Sequence, residues 1–211
     1  MSIMLNEQIV YTRLLGLFSN TLKETSKDDS GLNRTPPEPI CFMTNCQKQV
    51  VSFDDFKKCI AKKIHGDPKS CDVLYRYSAD TWFLIEFKNG KLEETNKGSF
   101  KPKSIEFYNV IRKLFESLFL LTEELGQTIE FTRKNLIFLL VYNEDKNGCL
   151  ALADNVARLG RSKDILPMSH LSEILPEEPF NTPYFDRLYV KGAYICSKQS
   201  FEDNFVKQYA N

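Results

Sequence analysis

The sequence predicts an α/β fold, with a small mixed β-sheet flanked by helices. Three observations carry this. A helical periodicity of apolar residues runs through residues 5–24, 52–64 and 104–125. Two short apolar runs, near 72–77 and 82–88, are separated by Ser78-Ala79-Asp80, which reads as a hairpin turn. A third run, NLIFLLVY from Asn135 to Tyr142, has no polar alternation and suits a strand buried on both faces. Helical and extended segments interleave along the chain, an order expected of one sheet covered by helices.

The elements follow in chain order. Leu5, Ile9, Leu14, Leu15, Leu17, Phe18 and Leu22 mark the apolar face of a first helix over about 5–24. The stretch TSKDDSGLNRTPPEPI is polar and rich in turn formers, so it predicts a linker. It divides the chain into an N-terminal helix and linker, 1–40, and an α/β domain, 41–211, with a C-terminal strand and helix. Residues 41–51 predict a short extended piece. Ser52, with Asp55 three residues on, predicts an N-cap and a helix that ends before Gly66-Asp67-Pro68. The lysines of that helix (Lys57, Lys58, Lys62 and Lys63) read as a solvated face. Asn89-Gly90 marks a turn after the hairpin, and KLEETNKGSFKPK reads as a polar loop. A long helix over 104–125, the buried strand 135–142, a short helix over 149–159, a proline-punctuated irregular region, a strand over 188–196 and a terminal helix over 200–209 complete the order. Trp82 and Tyr108 read as core residues.

Length and composition bound the function. The 211 residues are 42% hydrophobic and 12% aromatic, enough for a core. Lys plus Arg and Asp plus Glu are 28 each. With a formal net charge of zero, nucleic-acid contact must rest on a local patch. The six cysteines form no C-x-x-C pair, and His65 and His170 are the two histidines, so zinc is not expected. No apolar run reaches the roughly 18 residues of a membrane span. The first residues lack a basic start and a small-residue cleavage site, so a cytoplasmic protein with reduced, packed thiols is expected.

The chemistry concentrates between Cys71 and Gly90, CDVLYRYSADTWFLIEFKNG. Side chains two apart in a strand share a face, so Glu86 and Lys88 point the same way. A hairpin brings Asp72 alongside Glu86. Charges placed within apolar strands cost free energy and call for a reason. Two carboxylates and one ammonium at one end of a small sheet suit a divalent cation and a positioned water. Mg²⁺ takes hard oxygens and keeps several waters, so two carboxylates and a substrate phosphate suffice. The alternative is a structural ion pair or strand-end charges facing water. Cys71 has no histidine near it in the local pattern and reads as a packing residue.

Helix, hairpin bearing Asp72 and Glu86-Phe87-Lys88, helix and buried strand resemble, over roughly 52–142, the core of the restriction-endonuclease-like nucleases, whose signature is PD-(D/E)XK. The resemblance implies a restriction-endonuclease-like core and cleavage of phosphodiester bonds in DNA or RNA with Mg or Mn. It makes Asp72 and Glu86 metal ligands, adds the carbonyl of Phe87 as a third, and gives Lys88 to the attacking water. It also suggests a setting in bacterial defence. Two features depart from the pattern. The proline before the first acid is absent, and the helix before the hairpin offers only Asp54 and Asp55, both in its first turn. Glu7 and Glu24 are the other candidates for a further acid.

Lys97, Lys101 and Lys103, with Arg112 and Lys113 on the next helix, form a candidate rim for a nucleic-acid backbone. A second reading is a nuclease-fold protein without turnover that binds another protein, such as a toxin-immunity protein or a defence-complex subunit. Fold alone does not decide between them.

Overall fold

The computed structural model describes residues 2–33, 35–96, 99–102, 104–148, 166–167 and 188–210. The chain is a mixed sheet with helices on one face and a C-terminal helical segment on the other. Its strands run in the order β1 (Ser19–Thr21), β4 (Gln49–Ser52), β5 (Val73–Arg76), β6 (Trp82–Lys88), β9 (Leu136–Tyr142), β11 (Gly192–Ser197) and β10 (Leu166–Pro167). The first four form an antiparallel meander, whereas β6, β9 and β11 are parallel to one another. Two further ribbons stand apart: β2 (Lys27–Asp28) with β3 (Cys41–Phe42), and β7 (Glu93–Asn96) with β8 (Ser99–Pro102).

The period of two along the central strands decides which residues meet which layer. Trp82 and Leu84 of β6, with Phe138 and Leu140 of β9, face α1 (Ser2–Phe18), α3 (Phe53–Ile64), α4 (Ser104–Leu125) and α5 (Ile129–Asn135). Phe83 and Ile85, with Leu139 and Val141, face the opposite layer. That layer is closed by Met43 and by the C-terminal π-helical segment Phe201–Ala210. Phe205 lies edge-on to Tyr75 and Phe83 and stacks with Phe201. Because β6 and β9 are covered on both faces, their sequences carry apolar residues at nearly every position.

Several expectations change. The first helix ends at Phe18 rather than near residue 24, and Ser19–Thr21 adds an edge strand to the main sheet. Thr21 then caps a new turn, α2 (Leu22–Thr25), its hydroxyl accepting from the Glu24 N–H at 3.1 Å. The polar stretch after it holds β2 and a 3₁₀ turn, Ser30–Asn33. The loop expected over 91–103 contains the β7–β8 ribbon. The helix α5 was not expected, and it begins where the Thr128 hydroxyl accepts from the Glu130 N–H. The expected helix over 149–159 lies outside the described residues, as do 168–187 of the irregular region.

Candidate active site

The β5–β6 hairpin builds the site. Val73 pairs with Ile85 and Leu74 with Leu84, and Asp72 stands immediately before this ladder. Glu86 follows the alternation that sends Leu84 to the α-helical face, and Lys113 of α4 reaches both it and Asp72. Asp72 precedes Val73, the first residue of β5, and its N–H donates to the Ile85 carbonyl at 3.0 Å. The Phe87 N–H donates to Asp72 Oδ2 at 2.6 Å. The N–H and C=O of one strand residue project to the same side, so the Phe87 carbonyl also projects to the β5 side of β6.

Two ammonium groups meet Glu86, which is 0% exposed. Lys88 Nζ is 3.6 Å from Glu86 Oε1. Lys113 Nζ, from α4, donates to Glu86 Oε1 at 2.7 Å and Oε2 at 3.0 Å, and lies 3.7 Å from Asp72 Oδ1. Lys113 therefore sits between the two carboxylates, not on an outer rim with Arg112 as the sequence suggested. Arg112 points elsewhere and pairs with Glu116, whose other oxygen accepts from the Lys69 N–H. Lys101 belongs to β8, whereas Lys97 and Lys103 lie outside the described residues.

Burial and the neighbouring charge of Glu86 push the Asp72 carboxyl well above its ordinary range. Burial raises Glu86 too, while Lys113 and Lys88 oppose it. For Lys113, burial acts downward, and the charges of Glu86 and Asp72 outweigh it and hold the ammonium above its usual value. Asp54 contributes a third negative charge that reaches both acids, from the first turn of α3. It accepts a hydrogen bond from the Ser70 hydroxyl. Ser117, one turn after Lys113 on α4, accepts from the Cys71 N–H at 2.8 Å. Cys71 is fully buried and burial raises its thiol, which fits a packing role.

The other candidates lie elsewhere. Glu7 is buried, and the Arg76 charge acting on it belongs to the end of β5 remote from Asp72. Glu24 is exposed in α2. Tyr108 is 58% exposed and is not a core residue, whereas Trp82 is fully buried between Tyr11 and Phe131. Lys62 and Lys63 are exposed, and Lys58 pairs with Asp55. His65 ends α3 in the left-handed region at φ 50°. His170 lies outside the described residues.

Beside Asp72 opens a cleft of about 410 Å³, lined on one side by residues 25–28 and Met43 and on the other by 87–92. A chain of side-chain amides supports it. The Asn89 amide donates to Asp28 Oδ2 at 2.7 Å, Asn143 donates to Asn89 Oδ1 at 2.6 Å, and Asn147 accepts from the Leu92 N–H at 2.7 Å.

The sequence reading did not bring Lys113 to the two acids, and a signal for it was present. Val110, Leu114, Ser117 and Leu121 form the buried stripe of α4, and a lysine between the first two, four residues before Ser117, lies on its edge. Among the described residues, no group of three or more His, Cys, Asp or Glu side chains is placed to share one ion. No helix among them is long and apolar enough to cross a membrane. Comparison of the chain with protein-family models, with curated proteins and with solved structures finds no match.

Proposed function

We propose that the chain is a metal-dependent nuclease with a restriction-endonuclease-like core, using Mg or Mn to hydrolyse phosphodiester bonds of DNA or RNA. One observation carries this reading. At the end of the β5–β6 hairpin Asp72 and Glu86 share the Lys113 ammonium, with Lys88 beside Glu86. Two hard carboxylates and a strand-end carbonyl at Phe87 are a donor set that suits such an ion once Lys113 moves aside. When bound, the ion would lower the pKa of a coordinated water and neutralise charge at phosphorus.

The chain's own residues divide the remaining work. Asp72 is oriented by the Phe87 N–H, which leaves Oδ1 for the ion. Lys88, on the face of Glu86, is placed to orient the attacking water and to stabilise the negative charge that develops on the phosphoryl oxygens. Lys113 holds the two acids together before an ion enters, because it neutralises the pair that repels itself.

A second reading is favoured by that same contact. Both oxygens of Glu86 already accept from Lys113, so the triad also works as a permanent internal ion cluster. The chain would then be a nuclease-fold protein without turnover that acts by binding a protein, such as a toxin or a defence-complex component. Calorimetric titration with Mn²⁺ separates the two. The nuclease reading expects binding by the wild type, loss of it in Asp72→Ala, and Mn²⁺-dependent cutting of a DNA or RNA panel that Lys88→Ala abolishes. Equal heats for wild type and Asp72→Ala would leave the protein-binding reading in possession.

A further inference from the structure

We propose that the cleft between residues 25–28 and 87–92 binds one unpaired nucleotide of a nucleic-acid strand, its phosphate held on the rim by Lys27, Lys88 and Lys91. This rests on the hydrolase reading above for the role of the neighbouring Asp72, and it adds the substrate class: single strands or frayed ends rather than intact duplex.

Position is the first support. The cleft is lined by Asp72, Phe87 and Lys88, so whatever fills it lies directly against the candidate centre. Its size is the second. A volume of about 410 Å³ falls at the lower end of small-molecule pockets, roughly 300–1,000 Å³. That admits one nucleotide. A paired base shows a protein only its groove edges and enters a cleft of this size only by leaving the stack.

Charge is the third support. The cleft carries three lysines and two acids. The acids have other commitments. Asp28 accepts from Ser30 and Asn89, and although burial alone would raise its carboxyl, these hydrogen bonds hold it below the ordinary range. Asp72 faces Phe87 and Lys113. Lys27 also pairs with Asp29 and Lys88 with Glu86, pairs that a phosphate would compete with. With Lys91, the lysines outnumber the acids of the lining, and a cationic groove beside the backbone track is how single strands are gripped without base readout. Rigidity is the fourth. The amide chain from Asp28 through Asn89 to Asn143 joins the two walls, so the cleft exists before the ligand arrives.

Gly90 supplies a selective test. It lines the cleft, and a Cβ added to it meets nothing within 4 Å. Gly90→Glu is therefore sterically tolerated and adds bulk and negative charge at the cleft wall. The probes are fluorescent hexathymidylate, hexauridylate and a duplex of matching length, measured by anisotropy in EDTA, where metal-dependent cutting is silent. The wild type is expected to bind a single strand at least about tenfold more tightly than the duplex, and Gly90→Glu to lose about tenfold or more. Lys91→Ala, on the exposed turn, should weaken binding several-fold and serves if Gly90→Glu does not fold. Preference between the thymidylate and uridylate strands distinguishes DNA from RNA as the source of the nucleotide. Unchanged binding in both variants, a duplex preference, or no single-strand binding overturns the proposal. With Mn²⁺ added, cutting that Gly90→Glu leaves untouched sinks the cleft and spares the hydrolase reading. Strand binding that depends on Gly90 without any cutting does the reverse.

Discussion

At the scale of single residues, Glu86 and Lys113 set the terms. Glu86 is 0% exposed and the Lys113 side chain 23%, so their contact is a largely buried ion pair that desolvation opposes. Removing one partner of such a pair costs more than removing both. Lys113→Met should therefore lower stability in urea by about 3–5 kcal/mol, since it leaves two buried carboxylates without their shared counter-ion. Adding Glu86→Leu should recover that loss. The pH dependence follows from the raised Asp72 and Glu86 carboxyls. A raised folded-state pKa means that the protonated form favours the fold, a contribution that is full at low pH and lost as pH rises through the folded value. The Lys113→Met deficit should accordingly begin to shrink above the ordinary carboxyl range as pH falls, because both raised acids take up protons there. A deficit that is constant from neutral to acid pH would mean that Lys113 contributes by packing alone.

At the scale of elements, the local signals that were legible are those with a short-range cause. The hairpin β5–β6 was readable from two apolar runs and a turn, and the shared face of Glu86 and Lys88 follows from the period of two. The start of α3 was readable because Ser52 and Asp55 form a reciprocal cap, with the Ser52 hydroxyl both donating to Asp55 Oδ2 and accepting from its N–H. What stayed hidden depends on contacts far along the chain. The approach of Lys113 to Glu86 spans 27 residues, and the ribbon β7–β8 lies within a stretch whose composition is that of a loop. The short strand β1 continues an apparent helical pattern and is extended because β4 offers it an edge. Asp55 provides a prediction at this scale. The hydrogen bond from Lys58, then that from Ser52, holds its carboxyl below the ordinary range. A depressed folded pKa contributes stability above the unfolded value, lost as pH falls through the folded one. Asp55→Asn should lower the thermal midpoint at pH 7, and the difference from wild type should vanish as pH falls below the ordinary carboxylate range, in thermal melts followed by circular dichroism. A midpoint difference that persists in acid would assign the loss to the cap hydrogen bonds and not to the charge.

At the scale of the whole molecule, the sheet separates two tasks. One face carries the charged cluster among helices, and the other is an aromatic layer sealed by the C-terminal segment. The segment is tied down at its start, where the Glu144 carboxylate accepts from the N–H groups of Lys198 and Gln199 at 3.0 and 3.1 Å. Glu144 follows β9, so the central parallel strand and the terminal helix are positioned together. Beyond that tie, Phe205 touches Tyr75, Phe83, Phe201 and Tyr209 and is fully buried. Deleting its ring leaves a void that a layer of aromatic rings fills poorly, so Phe205→Ala should cost about 3–5 kcal/mol in urea denaturation. Since the layer lies across the sheet from Asp72 and Glu86, the folded fraction of Phe205→Ala should bind Mn²⁺ as the wild type does. Loss of Mn²⁺ binding with the fold intact would show that the aromatic layer positions the acids through β6, and would extend the candidate site to both faces of the sheet.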